Sequence, residues 1–213
     1  MKGIQQRLVG QTSGKHFEQA VIQELTSNGS DYVKISADDL KSDPNFKQIK
    51  ALCADVASGN QIIMSSLLNN QLKGRNGIVF HQPFGSQQFP DILLAINNYI
   101  IPFETKFSNN KGVRPTWNSN LPHDEGVYIF GSKGKNDITF FNGMDILSTN
   151  VKIQFSTLIK NQTINLRRSG NAITQDFDIY LRAMYNQKLN CFKNSNRKKL
   201  EDDAIKLFSQ INA

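Results

Sequence analysis

A chain of 213 residues with 38% hydrophobic content is long enough to bury one sizeable core, and 25 Lys and Arg against 18 Asp and Glu leave a net charge of +7 that suits a polyanionic partner. No apolar run approaches the length of a membrane span, and the opening MKGIQQRLVGQ lacks the apolar stretch of a secretory signal, so a cytoplasmic protein is expected. Cys53 and Cys191 lie far apart without metal-ligand spacing, which argues against a zinc site or a disulfide scaffold and for buried or free thiols in a reducing compartment.

Ser13 is placed to cap a helix running to about Asn28, with Phe17, Ala20, Val21 and Leu25 on one face and Gly29 as its stop. Asp31–Ile35 reads as a short strand. Asn45–Ala57 and Asn60–Leu72 read as two helices parted by Gly59, with Phe46, Ile49, Leu52, Cys53 and Val56 at helical spacing as core. Lys73–Gly77 is a basic turn and Ile78–His81 a strand, its histidine read as a core or rim residue. The loop Gly85–Gln88 leads directly into the next apolar run.

That run is the centre of the sequence: FPDILLAINNYIIPFETKF, residues 89–107. Asn97-Asn98 separates two apolar stretches, and asparagine tolerates positive φ better than any residue but glycine, so the pair suits a two-residue hairpin turn. With the turn there, Asp91 falls across from Glu104, and Lys106 shares the face of Glu104. Ile92, Leu94, Ile96, Ile101 and Phe103 fill the other face. Cross-strand neighbours lie roughly 5 Å apart at Cβ, so the two carboxylates can share one divalent cation that relieves their repulsion. Pro102 cannot donate to a ladder and suggests a bulge or an edge. A second string, Asp39-Leu40-Lys41 with Asp31 upstream, lies in polar sequence with no apolar strand pair to support it and is set aside.

Pro90-Asp91 followed by Glu104-Thr105-Lys106 resembles the PD-(D/E)xK nuclease motif, best known from type II restriction endonucleases. The resemblance covers residues 89–107. It implies metal ligation by Asp91, Glu104 and the Thr105 carbonyl, with Mg²⁺ as the metal and Lys106 near the nucleophilic water. In nucleases of this kind an acid on the first helix often approaches the metal, which makes Glu18 a second-tier candidate beside its plainer reading as a solvated helix glutamate.

Ser108–Pro122, SNNKGVRPTWNSNLP, is polar and proline-bounded and leaves the strand that carries Glu104 and Lys106, so it is a candidate DNA-reading loop. Arg114 and Asn118 suit base edges and Lys111 suits phosphate; Trp117 and Ser119 belong to the same candidate set, with Gln87 and Gln88 beside the metal site. The plainer alternative packs Trp117 under the loop and uses Asn118 and Ser119 to cap a helix. Gly126–Phe130 and Asp137–Phe141 read as a second hairpin around Ser132–Lys135. Asp124-Glu125 is a poor metal pair, because adjacent strand residues point oppositely. From Asp145 the series Leu147, Val151, Phe155, Leu158 and Ile159 follows a helix, although Val151–Phe155 also alternates like a strand. Arg167–Gly170 reads as a basic turn, Phe177–Met184 as a last strand, and Asn194 onward as a C-terminal helix.

These elements predict a single α/β domain over residues 1–213, a central mixed sheet flanked by helices, restriction-endonuclease-like by the resemblance. The leading function is Mg²⁺-dependent hydrolysis of double-stranded DNA at a specific sequence, with a homodimer on a palindromic site or a monomer both open. The alternatives are a repair or recombination nuclease that reads DNA structure, and a non-catalytic basic DNA-binding domain whose acids are structural.

Overall fold

The two apolar runs around Asn97-Asn98 do form a hairpin, and its register is the expected one: Ile92 pairs with Phe103 and Ile96 with Tyr99, with Asn97 at φ 50°. A computed structural model describes residues 2–27, 32–55, 63–118, 120–176, 179 and 181–211 of the chain. In chain order the elements are α1 (Lys2–Val9), α2 (Gly14–Ser27), β1 (Tyr32–Ile35), α3 (Ala37–Lys41), α4 (Phe46–Ala54), β2 (Ile63–Met64), a 3-10 turn (Ser65–Leu68) and α5 (Asn69–Leu72). There follow β3 (Gly77–His81), β4 (Ile92–Ile96), β5 (Tyr99–Ser108), β6 (Thr116–Asn118), β7 (Val127–Ser132) and β8 (Asp137–Asn142). The chain closes with α6 (Gly143–Ile146), α7 (Thr149–Ile173), β9 (Met184–Asn186) and α8 (Asn194–Ile211).

Six strands form one mixed sheet in the order β1-β3-β4-β5-β7-β8, with β2 beside the start of β5. β3, β4 and β5 are an antiparallel meander, while β1 runs parallel to β3 and β7 parallel to β5. Helices cover both faces, which is why GIVFH, ILLAI and YIIPF are nearly unbroken apolar runs. Strand alternation sends Ile92, Leu94, Ile101 and Phe103 to the face that α2 covers with Phe17, Val21 and Ile22. Leu93, Ala95 and Ile100 pack on the other face against Leu40 of α3 and Ile49 of α4. On that same face a further cluster gathers Trp117, Tyr128, Phe130 and Phe141 with Leu200 of α8, and Phe89 packs against both clusters. The mixed α/β sheet flanked by helices is thus the fold expected from the sequence.

Pro102 introduces no bulge. In a two-residue hairpin the pair flanking the turn exchanges hydrogen bonds, and bonded and non-bonded pairs alternate from there. Leu93 and Pro102 form a non-bonded pair, so the proline nitrogen points away from β4. On that outer side β5 pairs with β2 at Tyr99 and Ile100 and with β7 only from Phe103 onward. Pro102 sits in the gap between them, where no donor is required.

Four expectations are corrected. Of the helix predicted over 60–72, residues 60–62 lie outside the described residues and Ile63–Leu72 is β2, the 3-10 turn and the short α5, because Ser65 is drawn to the hairpin turn: its N–H donates to the Asn98 carbonyl at 2.9 Å and its Oγ to that of Asn97 at 2.7 Å. The basic turn at 167–170 lies inside α7, where Gly170 leaves room for Ile179 against the helix. The last strand is Met184–Asn186, set by pairing with β6; of the predicted span 177–184, Ile179 and Leu181–Ala183 are not strand, and Phe177, Asp178 and Tyr180 lie outside the described residues. No helix follows Asn118, which is itself the last residue of β6. Val151–Phe155 is helical, the helix expected from Asp145 is divided into α6 and α7 at Leu147-Ser148, and α1 and α3 have no counterpart in the sequence analysis. Ser13 caps α2 as expected, its Oγ accepting from the His16 N–H at 3.2 Å, whereas Asn28, Gly29, Asp31, Val56 and Gly59 lie outside the described residues. No helix among the described residues is long and apolar enough to cross a membrane.

Candidate functional site

Asp91 directly precedes β4, and continuing the ladder one step places it across from Glu104. The Asp91 N–H donates to Glu104 Oε2 at 3.2 Å, and Lys106 Nζ donates to Glu104 Oε1 at 2.9 Å. The Asp91 carboxylate is turned to the sheet edge, where Oδ2 accepts from both the N–H and the Oγ1 of Thr105, each at 2.8 Å. This follows from the alternation. Thr105 lies two residues beyond the bonded Phe103, so its N–H faces the β4 side just where β4 has not yet begun. Its carbonyl faces the same edge, beside Asp91.

Glu104 and Lys106 occupy the seam between the two aromatic-rich clusters on their face. Lys106 Nζ stands 5.4 Å from the centroid of Trp117, a cation–π contact that fixes the lysine stem while its head reaches Glu104. Trp117 in turn donates its Nε1–H to Gln187 Oε1 at 3.2 Å and meets Tyr128 edge to face. Burial pushes the Glu104 carboxyl up to about 7; Lys106 opposes that rise and the nearby Asp91 charge adds to it.

Glu18, on α2, reaches the same region from the opposite face. It bonds to His81 Nε2 and accepts from Gln82 Nε2 at 3.2 Å, and the Gln82 N–H donates to the Asp91 carbonyl at 2.7 Å. Burial raises the Glu18 carboxyl, and Asp91 raises it further. His81, read as a rim histidine, is therefore the partner that fixes Glu18.

Asp91, Glu104 and Lys106 open onto a cavity of about 210 Å³ whose walls include Gln87, Gln88, Trp117 and Asn118, four of the residues singled out in the sequence. Lys111 and Arg114 do not line it. Lys111 sits in a turn packed on the β7–β8 connection, where the Gly134 N–H donates to the Asn110 carbonyl at 3.3 Å, and Arg114 is exposed beyond it. Ser119 lies outside the described residues. The wall also includes His123, Tyr128 and Arg182, none of which has a site role in the sequence analysis. His123 and Tyr128 directly follow the 108–122 loop, whereas Arg182 comes from a segment distant in sequence. The set-aside string Asp39-Leu40-Lys41 is helical, with Leu40 fully buried, Asp39 accepting from Ser36 Oγ at 2.7 Å and Lys41 paired with Asp38. Asp124 is buried against Lys152 and Thr149 and is structural.

No protein-family model matches this chain, and comparison with curated proteins and with solved structures gave no match.

Among the described residues no group of three or more His, Cys, Asp and Glu side chains is placed to hold a metal. The donor set at Asp91 is instead two carboxylates and a backbone carbonyl, all hard oxygens of the kind Mg²⁺ takes with water and phosphate completing its shell. The raised Glu104 carboxyl fits this set, since a cation there would offset what desolvation and Asp91 impose.

Proposed function

We propose that the chain is a Mg²⁺-dependent endonuclease of the type II restriction kind, hydrolysing phosphodiester bonds of double-stranded DNA at a specific sequence. The observation that carries this reading is the convergence of Asp91, Glu104 and Lys106 at one end of the central hairpin, with Glu104 held in a state that disfavours its own charge. Asp91, Glu104 and the Thr105 carbonyl would hold the metal. When bound, it supplies positive charge against the developing charge on phosphorus and on the leaving 3′ oxygen.

The remaining roles belong to side chains. Lys106 already gives one N–H to Glu104 and has two more for a non-bridging phosphate oxygen or for the lone pair of the attacking water. Thr105 fixes the Asp91 carboxylate through two hydrogen bonds, so this ligand is oriented before DNA arrives. Gln87, Gln88 and Asn118 line the approach with amide donors and acceptors that match base edges. In the reaction a water oxygen bonds to phosphorus as the P–O3′ bond breaks. One water proton leaves to solvent and the 3′ oxygen acquires another, which yields a 5′-phosphate and a 3′-hydroxyl.

The test is incubation of purified protein with a long duplex and Mg²⁺, followed by mapping of the ends. Discrete fragments with 5′-phosphates are expected, and they should vanish with EDTA and in Asp91→Ala. Cleavage only at nicks, junctions or mismatches would replace sequence readout with structure readout. DNA binding that Mg²⁺ never converts to cutting would overturn the reading.

A further inference from the structure

With 25 residues, α7 runs about 37 Å at 1.5 Å per residue, and most of its surface is left to solvent. Lys152, buried against Asp124, ties down its N-terminal turn, and Gly170 meets Ile179 near its other end. From Ile179 the chain returns beside the helix as far as Tyr185, which meets Phe155 edge to face with ring centroids 6.0 Å apart. Eleven large apolar side chains stand exposed among the described residues, and nine of them fall between Ile153 and Met184. A concentration of this kind marks a surface that another protein covers.

The spacing identifies the cover. At 100° per residue Phe155, Leu158, Leu166 and Ile173 share one strip of α7 about 80° wide, and they are 39%, 51%, 38% and 84% exposed. Val151, Gln162 and Ser169 complete the strip. Its steps from 151 to 173 are 4, 3, 4, 4, 3 and 4 residues, the same in either direction. A second α7 laid antiparallel, with a two-fold axis at Gln162, therefore sets Leu158 against Leu166, Val151 against Ile173 and the large Phe155 against the small Ser169. Gln162 meets its own copy, where two amides can exchange hydrogen bonds and fix the register. The helix contains no Asp or Glu, and Lys160, Arg167 and Arg168 all lie off the strip, so no like charges are brought face to face. A strip about 37 Å long and one helix diameter wide, about 11 Å, covers about 400 Å². Ile179, Leu181 and Met184, exposed on the returning segment, extend the apolar surface towards the roughly 800 Å² per partner of a stable interface.

We infer that α7 joins two copies of this chain as an antiparallel helix pair about a two-fold axis at Gln162. The interface stands on α7 alone, whereas its use rests on the nuclease reading. Each chain holds one set of Asp91, Glu104 and Lys106, so the pair holds the two sets that cutting both strands requires, related by the symmetry of a palindromic sequence.

Sedimentation of the full chain at micromolar concentration tests the interface, and wild type is expected to be a dimer. Leu158→Lys and Leu166→Glu each bury an unpaired charge at the seam and should weaken the dimer about 10²-fold or more. The double variant Leu158→Lys/Leu166→Glu sets the two new charges opposite each other across the axis and should recover most of the dimer. Both positions are exposed in one chain, and circular dichroism should show all three variants folded. A monomeric wild type overturns the inference, as does a single variant that remains dimeric or a double variant that remains apart. On supercoiled plasmid with Mg²⁺, Leu158→Lys should accumulate nicked circles where wild type yields linear DNA. A wild-type dimer that never cuts DNA overturns the nuclease reading and leaves the interface standing.

Discussion

Glu104 carries a charge that its surroundings resist, and this sets a pH dependence. Its carboxyl titrates near 7 in the fold against an ordinary value of 4.5, so between those values the folded chain holds a proton that the unfolded chain has released. This contribution to stability is complete below about pH 4.5 and is lost as pH rises through 7. His123 works the other way. Its folded value of about 4 lies below the ordinary 6.5, so its contribution is present above 6.5 and is lost as pH falls towards 4. The two oppose each other across the same window. Glu104→Gln should therefore expose the histidine alone, giving a melting temperature that falls on acidification from pH 7 to 5 more steeply than in wild type. Mg²⁺ should raise the wild-type melting temperature more at pH 8 than at pH 5, and should have little effect on Glu104→Gln. Equal Mg²⁺ effects at both pH values would mean that the ion binds elsewhere. For activity, Asp91→Ala and Glu104→Ala should abolish cleavage in folded protein, and Lys106→Ala should slow it by about 10²-fold or more. Asp39→Lys on α3 should be close to silent.

The trio Asp91, Glu104 and Lys106 was legible because a local turn fixed it. Asn97-Asn98 sets the register, the register pairs 91 with 104, and alternation brings 106 to the same face. Thr105 as the partner of Asp91 was not legible, since an acid placed across from another acid gives no hint that it will turn to the sheet edge. His123 was invisible as a residue of the cavity wall. Its neighbours Phe89, Asp55, Tyr128 and Gly143 lie in four separate segments, and no spacing in the sequence brings them together.

At the level of elements, local patterns that agreed with the tertiary partner were read correctly and those that conflicted were not. The β4–β5 and β7–β8 hairpins, α2 with its Ser13 cap, and α8 are each set by short-range signals. Residues 60–72 carry apolar spacing that a helix would satisfy, yet Ser65 is captured by the hairpin turn. Arg167–Gly170 has a turn's composition, yet α7 continues through it because Gly170 meets Ile179. The hairpin turn itself makes a prediction. Asn97 holds φ 50°, so Asn97→Gly should be nearly neutral, whereas Asn97→Val should cost about 1–2 kcal/mol. Cleavage should fall further than stability in the valine variant, because a displaced turn moves Asp91 relative to Glu104. Deeper in the same hairpin Leu93 is fully buried, and Leu93→Ala should cost about 2–5 kcal/mol by denaturant unfolding. Pro102→Ala should cost less than about 1 kcal/mol, since Pro102 fills a gap where no ladder bond is made.

At the level of the whole molecule, the residues chosen as DNA contacts divide by position. Gln87, Gln88 and Asn118 line the cavity with Asp91, Glu104 and Lys106, whereas Lys111 and Arg114 stand outside it. Asn118→Ala should therefore cost about 1–3 kcal/mol of binding on the preferred sequence and little on unrelated duplex. Lys111→Ala and Arg114→Ala should weaken both duplexes alike and each make the salt slope shallower by about one unit. Binding curves in Ca²⁺ at several salt concentrations distinguish these patterns, and an Arg114 loss confined to the preferred sequence would return that residue to base reading.

The pairing of Lys152 with Asp124 joins the start of α7 to the connection that holds His123, and the lysine side chain has 0% exposure. Its amine also donates to the Gly143 carbonyl at 3.2 Å, so every approach to it passes through packed protein. An acylating reagent added to the native protein should thus mark exposed lysines such as Lys160 and Lys198 while leaving Lys152 unmodified. Peptide mass spectrometry after graded denaturation would then show Lys152 acquiring label only as this corner opens, which makes one side chain a chemical clock for the integrity of the whole cleft.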